Sequence, residues 1–149
     1  MYFIGIDIGK NGGIAIICDG ERLTATAVPY SDQQLQDICR ILRDSFVTVE
    51  KVGAMPKQGV KSMFNFGREF GYVLGVLDAF NMHYDVVPPQ RWKKHFNVTS
   101  DKQTSIQKAH ELYPKVNLRR TDRCRTDHDG MAEALLIAEY GRQFFKQKD

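Results

Sequence analysis

The stretch Tyr2-Phe3-Ile4-Gly5-Ile6-Asp7-Ile8-Gly9 is an apolar run that carries one carboxylate and ends at a glycine. Apolar residues at nearly every position indicate a strand that is covered on both faces, as at the centre of a sheet. A carboxylate in such a strand is costly to desolvate, so Asp7 requires a cation or strong hydrogen bonds. Asp7 is therefore either part of a site or an acceptor for the N–H groups of the turn at residues 9–13.

The segments that follow predict a sheet of mixed direction. The β-prone runs 14–18 and 23–28 flank Asp19-Gly20, a pair typical of a tight hairpin, so the first three strands predict an antiparallel meander. After a predicted helix, the β-branched run 46–52 is most simply a strand parallel to the first, reached by a right-handed crossover. Residues 84–87 predict the last strand. The expected fold is α/β: a five-stranded mixed sheet, with a three-strand meander and two parallel strands, and helices on both faces.

Glu50 lies near the carboxyl end of the fourth predicted strand. Ligand sites of open α/β sheets collect at these strand ends, so Glu50 approaches Asp7 if the two strands are neighbours. A glutamate at a strand end is also commonly an exposed residue without a special role. The sequence leaves both interpretations open.

Length and composition bound the class of protein. With 149 residues, 42% of them hydrophobic, the chain suffices for one well-buried core, so we expect a single domain over residues 1–149. Cys18, Cys39 and Cys124 are odd in number and lack CxxC spacing, which argues against a disulfide framework or a thiolate zinc site. We identify no secretory leader and no apolar run near the roughly 20 residues of a membrane span, and expect a cytoplasmic protein.

The net charge of +3 is unevenly distributed. Residues 86–125 contain ten Lys or Arg against three Asp or Glu, whereas residues 1–50 contain four basic and seven acidic side chains. This asymmetry predicts a polyanion bound along one face, the alternative being a solvated basic face without a partner. Trp92 and Phe96 lie at helical spacing among the cations, so they are either core residues or stacking contacts for a nucleic acid.

A long helix is predicted over about residues 62–80, and Gly67, Gly71 and Gly75 share one of its faces. Glycine costs about 1 kcal/mol per position inside a helix, so three on one side predict close packing against the sheet or against a second subunit. The preceding segment 53–62 is rich in helix breakers and carries lysines. It predicts a basic loop near the Glu50 end of the sheet.

The final predicted helix begins with polar residues and then becomes almost wholly apolar, which indicates burial. Glu133 lies in that buried part and needs a counter-charge. Asp129 precedes it by one turn on the same face, with Cβ atoms about 5–6 Å apart, so the two carboxylates favour a bound cation between them. The alternative is that Asp127 or Asp129 caps the helix while Glu133 faces solvent.

Five motifs occur in one order along the chain. They are Gly5-Ile6-Asp7-Ile8-Gly9, Glu50-Lys51-Val52 with its Gly/Pro/Lys loop, Phe66-Gly67-x3-Gly71-x3-Gly75, Val87-Pro88-x2-Arg91-Trp92-Lys93-Lys94, and Ala132-Glu133-Ala134-Leu135-Leu136-Ile137-Ala138. Together they resemble the RuvC family of Holliday junction resolvases, within the RNase H-like superfamily, and in particular its bacteriophage-type branch. The resemblance spans nearly the whole chain.

The resemblance implies a crossover junction endodeoxyribonuclease: a metal-dependent enzyme that resolves four-way (Holliday) and other branched DNA junctions by paired symmetric nicks. It implies that Asp7 bridges two metal ions, that Glu50 holds one of them, and that Asp129 and Glu133 complete the catalytic set. The expected cofactor is Mg²⁺, with Mn²⁺ able to substitute, at two ions per site. The resemblance also implies a homodimer, and host cytoplasm as the location if the protein is phage-encoded.

The chain departs from cellular members of the family in its last acidic pair. Those members have the spacing Asp-x-x-Asp, whereas here Gly130 stands three residues before Glu133. The fourth ligand is therefore Asp129, or else Asp127 or His128 replaces it.

A second departure concerns the opening of the junction. Cellular members carry an aromatic wedge shortly after the glutamate, where this chain has Gly53-Ala54-Met55. The wedge would then be Met55 or Phe64, or the chain would have no comparable residue.

Basic side chains near the predicted site would contact the DNA backbone. The expected contacts are Lys57, Lys61, Arg91, Lys93, Lys94 and Lys102, with Arg119, Arg120, Arg123 and Arg125 as an outer group. Two other classes of function stay open. One is a non-catalytic module that binds branched DNA. The other is a phosphate-binding domain, because residues 5–10 also resemble the first phosphate loop of actin-like ATPases and sugar kinases, although those proteins need a second domain.

Overall fold

The computed structural model describes residues 1–53 and 57–148, and within them the chain forms five strands and five helices. The elements are β1 (Tyr2–Asp7), β2 (Gly13–Asp19), β3 (Leu23–Pro29), α1 (Asp32–Ile41), β4 (Ser45–Glu50), α2 (Val60–Ala79), β5 (His83–Val87), α3 (Pro89–Phe96), α4 (Lys102–Leu112) and α5 (Asp129–Lys148). Among these residues no helix is both long and apolar enough to cross a membrane.

The sheet has the strand order β3-β2-β1-β4-β5, so the opening stretch of the chain forms the central strand. Strands β1, β2 and β3 pair antiparallel, whereas β4 runs parallel to β1 on one side and to β5 on the other. The predicted meander with two added parallel strands is thus confirmed. The crossover through α1 brings β4 beside β1, as the short β-branched run predicted.

Alternation along β1 divides its side chains between two cores. Phe3 packs into the α5 core, which also contains Trp92 and the buried face of α5. Ile4 and Ile6 pack into the second core, against α1 and α2. Because alternate residues of a strand share a face, Asp7 lies on the α5 side of the sheet. Helices cover both faces, as predicted.

Helix α5 lies against the sheet at backbone distance because glycines face it. A Cβ on Gly5 would overlap the carbonyl oxygen of Ala134, and one on Gly130 would overlap the carbonyl oxygen of Asn11. A Cβ on Gly13 would lie 2.7 Å from the carbonyl oxygen of Gly130. Side chains larger than hydrogen at these positions would push the helix away from the strands.

The three glycines of α2 do not pack against the sheet. A Cβ on Gly67, Gly71 or Gly75 would meet nothing within 4 Å. The buried residues of α2 are Val73 and Leu77, on the opposite side of the helix. The prediction that the glycines pack against the sheet is therefore wrong, and contact with a second subunit remains the alternative.

Trp92 and Phe96 belong to the core. They are 0% and 5% exposed and lie on one face of α3, inside the α5 core. Of the two interpretations of these aromatics, the structure supports packing in the core. A base-stacking role would require exposed rings.

Candidate active site

The carboxyl ends of β1 and β4 place two predicted acids side by side. In the parallel pairing of these strands Ile6 is opposite Val49, and Asp7 and Glu50 are the next residues of each strand. Both acids are partly buried. Strands β1 and β4 are therefore neighbours, as the approach of Glu50 to Asp7 requires.

The start of α5 brings the other two acids to the same edge. The tight contact of Gly130 with Asn11 and Gly13 fixes the first turn of the helix above the loop after β1. Asp129 and Glu133, one turn apart, then line the same cleft as Asp7. The alternative in which Glu133 faces open solvent is not what the structure shows.

Two joined clefts meet at Asp7. The first, which we call the acidic cleft, has a volume of about 410 Å³ and is lined by Asp7, Lys102, Asp129 and Glu133 among others. The second, of about 550 Å³, is lined by Asp7 and Glu50. Asp7 thus stands between Glu50 on one side and the α5 carboxylates on the other.

Two of the four carboxylates accept hydrogen bonds from protein donors. The ammonium of Lys102 donates to Oδ2 of Asp129 at 2.6 Å. The indole Nε1–H of Trp92 donates to Oε2 of Glu50 at 2.7 Å. Lys102 is therefore the cation paired with Asp129 in the acidic cleft, and Trp92 is the buried neutral donor to Glu50.

The electrostatics of the group favour an additional positive charge. Burial, and next the charges of Glu50 and Glu133, raise the pKa of Asp7 well above its ordinary value. The charge of Lys102 opposes that rise but does not cancel it. Burial also raises the pKa of Glu50, while the N–H of Trp92 acts in the opposite direction. Crowded carboxylates of this kind repel one another unless a cation lies among them.

Asp129 lines the acidic cleft, whereas Asp127 and His128, the two alternatives for the fourth ligand, have other partners. Asp127 pairs with Nε2 of His110 at 2.7 Å. His128 precedes α5 and accepts the N–H of Met131 through Nδ1 at 3.2 Å, so it acts as the N-terminal cap of the helix. Burial lowers the pKa of His128, which suits an imidazole that accepts a hydrogen bond. The alternative in which Asp127 or Asp129 caps α5 is therefore not the one that the structure shows.

The donor set fits a divalent cation in its chemistry. Carboxylate oxygens are the hard ligands that Mg²⁺ and Mn²⁺ prefer. Within residues 1–53 and 57–148, no three Asp, Glu, His or Cys side chains converge closely enough to enclose an ion in the present rotamers. The backbone holds all four carboxylates around the joined clefts, and the bonds to Lys102 and Trp92 draw two of them toward protein donors.

The predicted DNA contacts are mostly exposed side chains, and Lys102 among them lines the acidic cleft. Lys57, Lys61, Arg91, Lys94 and Lys102 are exposed, and Lys93 is half-buried with its Nζ 5.5 Å from the ring centroid of Trp92. The outer arginines, Arg119, Arg120, Arg123 and Arg125, are exposed in the irregular segment before α5. Phe64, one of the two wedge candidates, is 70% exposed, and Met55 lies outside the described residues.

The structure adds lining residues that the sequence analysis did not select. Ser62, Asn65 and Glu69 of α2 line the acidic cleft, together with Lys10 and Asn11 from the loop after β1. The three α2 residues recur at helical spacing and so share one face of the helix. This spacing is the sequence signal that could have identified them as a group. The bond between Trp92 and Glu50 had no signal in the sequence, since it joins residues from distant segments.

No protein-family model and no curated protein sequence matches this chain. Among solved structures, Thermus thermophilus RuvC aligns over 99% of this chain and 97% of its own, with TM-score 0.66 and 18% identity. T. thermophilus RuvC in complex with a Holliday junction substrate aligns over 99% and 96%, with TM-score 0.68 and 17% identity. The Fowlpox virus resolvase in complex with Holliday junction DNA aligns over 94% and 98% with TM-score 0.40 and 17% identity, too distant for structural argument. The two RuvC structures confirm the predicted RNase H-like fold.

Proposed function

We propose that this chain is a RuvC-type, metal-dependent endonuclease that resolves four-way and other branched DNA junctions by paired symmetric nicks. The observation that carries the proposal is the meeting of Asp7, Glu50, Asp129 and Glu133, from three separate elements, around joined clefts at one edge of the sheet. The shared fold of two RuvC structures, one of which is in complex with a Holliday junction substrate, supports the same reading.

The four carboxylates would hold two Mg²⁺ ions, or Mn²⁺ in their place. When bound, such ions supply an activated water and stabilise the oxygen that leaves in an in-line displacement at phosphorus. Asp7 lines both clefts, so it is the residue best placed to be shared between the two ligand groups. No protein nucleophile is required by this chemistry.

Lys102 has a second task when DNA enters the acidic cleft. Its ammonium is the counter-charge of Asp129 in the free protein. If Asp129 held a metal ion, Lys102 would be released from that carboxylate and could pair with a phosphate of the bound strand. Lys61 and Arg91 adjoin residues that line the two clefts and extend the basic surface for the backbone.

A second copy of the chain would pack on the open face of α2. That face carries Val60, 88% exposed, and Phe64 beside the three uncovered glycines. Small residues in a row allow two helices to approach closely, and a self-complementary patch gives a two-fold dimer. A dimer of this kind would present two acidic clefts to the two strands that a junction requires to be cut.

The test is cleavage of a labelled synthetic four-way junction in Mg²⁺, in Mn²⁺ and in chelator, beside a linear duplex and a replication fork. We expect symmetric nicks in the branched substrates alone, and none in chelator. The variant Asp7→Asn should lose cleavage while it keeps junction affinity, because it removes a ligand but no cation.

Two other results would change the assignment. Tight junction binding by the wild-type protein without cleavage in either metal would identify a binding module without catalysis. Cleavage that persists in Asp7→Asn would show that the acidic cleft is not the active site.

A further inference from the structure

Glu50, which lines the second cleft, accepts a hydrogen bond from a buried donor that the proposed chemistry does not use. Trp92, the one tryptophan of the chain, is 0% exposed, and its Nε1–H donates to Oε2 of Glu50 at 2.7 Å. The indole ring donates one hydrogen bond through its N–H and accepts none, so Trp92 can form this bond only with an acceptor atom. The acceptor is one of the two oxygens of a proposed metal ligand.

The position of the indole is fixed by the structure of α3. This helix runs from Pro89 to Phe96, and Asn97 caps its C-terminus with left-handed backbone angles (φ 57°). Trp92 and Phe96 are its buried residues, and both pack in the α5 core. The ring is thus held from behind by close packing, and its N–H has a constant direction.

The glutamate is the less buried member of the pair. Glu50 is the last residue of β4, is only partly buried, and lines the second cleft. The hydrogen bond to Oε2 restricts the rotation of that side chain and does not involve Oε1, in a residue that lines the same cleft as Asp7. Ligand carboxylates in metal sites are commonly oriented by such donors.

We propose that Trp92 is a positioning residue, whose indole N–H orients Glu50 for metal binding. The inference rests on the proposed function, since Glu50 is a ligand only if the acidic group binds metal. Loss of such a partner typically lowers metal affinity by about 10–100-fold. We expect a loss in that range when the N–H is removed and the ring is kept.

The single tryptophan allows an isosteric test. Growth of a tryptophan auxotroph on benzothienylalanine replaces the ring N–H by sulfur at this one position in the full-length protein. The second variant is Trp92→Phe, and the matched packing control is Phe96→Leu, one turn along the same buried face. Calorimetric titration with Mn²⁺ in the absence of DNA gives the metal affinity of each protein.

The expected result is a Mn²⁺ affinity lowered by about 10–100-fold in the sulfur analogue and in Trp92→Phe, and unchanged in Phe96→Leu. Cleavage by the sulfur analogue should recover at high metal concentration, while junction affinity in chelator stays at the wild-type value. Wild-type Mn²⁺ affinity in the sulfur analogue would overturn the positioning role. An equal loss in Phe96→Leu would overturn it as well, because core packing would then account for the effect.

The same titration separates this inference from the proposed function. If wild-type protein and Asp7→Asn bind Mn²⁺ equally, the acidic group is not the metal site and the proposed function fails. If Asp7→Asn loses the metal and the sulfur analogue keeps it, only the role of Trp92 fails.

Discussion

Gly5→Ala tests whether the site depends on backbone contact between β1 and α5. The added methyl group would overlap the carbonyl oxygen of Ala134 and approach the amide nitrogen and the Cβ of Ala138, the latter at 2.8 Å. Two of these three obstacles are main-chain atoms of a buried helix, which cannot rotate aside as a side chain would. The helix must move outward, and Glu133 moves with it away from Asp7.

The expected loss of folding stability in Gly5→Ala depends on whether side chains or backbone must move. Overpacking of a core costs about 1–3 kcal/mol when side chains can adjust. Because backbone has to shift here, we expect about 3 kcal/mol, which lowers the melting temperature by roughly 6–12 °C for a chain of this size. Gly20→Ala is the matched control, since a Cβ there meets nothing within 4 Å and Gly20 has no positive φ. It should stabilise the protein by about 0.4–1 kcal/mol.

The assay is thermal unfolding of the three proteins by circular dichroism, with junction cleavage measured well below the transitions. Gly5→Ala should melt lower and cleave more slowly, whereas Gly20→Ala should melt at or above the wild-type temperature with normal cleavage. A Gly5→Ala protein that melts within ~2 °C of wild type, less than the shift from about 1 kcal/mol, would refute the packing argument.

Three further predictions concern the buried ion pair of α5, the proposed DNA surface and the proposed dimer. Glu139 is 3% exposed; burial would raise its pKa, but hydrogen bonds from Arg142, Tyr113 and Gln143 outweigh burial and lower it. The contribution of Glu139 to folding stability is therefore present above its unfolded-state pKa and is lost as the pH falls through its folded-state pKa. Urea denaturation should show Glu139→Ala less stable than wild type by about 3–5 kcal/mol at pH 7, with a smaller difference in acid. Lys61→Ala should reduce the slope of log affinity for junction DNA against log salt by about 0.9, whereas Lys108→Ala, whose lysine pairs with Glu111, should leave it unchanged; equal slopes would remove Lys61 from the interface. Sedimentation equilibrium should give a dimer for wild type and a monomer for Gly71→Arg, and a wild-type monomer at working concentration would contradict the α2 interface.

Local patterns predicted the sheet and two of its acids well. The apolar run at β1, the Asp19-Gly20 hairpin and the β-branched run at β4 each follow from short-range rules, and the crossover rule then made Asp7 and Glu50 neighbours. These steps need only strand period and connection handedness. The fold was predictable because every step was local or topological.

The roles of glycines and of Trp92 were not predictable in the same way. The regular spacing of Gly71 and the glycines four residues on either side of it predicted close packing, but these glycines are uncovered. The glycines in tight contact, such as Gly5 and Gly130, are not part of such a repeat within a helix. A close approach depends on which element lies opposite, and that is a tertiary property. The bond from Trp92 to Glu50 is of the same kind, because it joins two elements that are distant in the chain.

The position of α5 in the chain has a consequence for the order of synthesis. Asp7 and Glu50 are made early, but the side of the sheet that carries Asp7 lacks its main cover until α5 arrives with Asp129 and Glu133. A chain emerges from the ribosome with its early segments first, and this one exposes apolar surface of the sheet during that time. The nascent chain therefore has neither its main core nor its full acidic group, and the folding step that completes the core also completes the site.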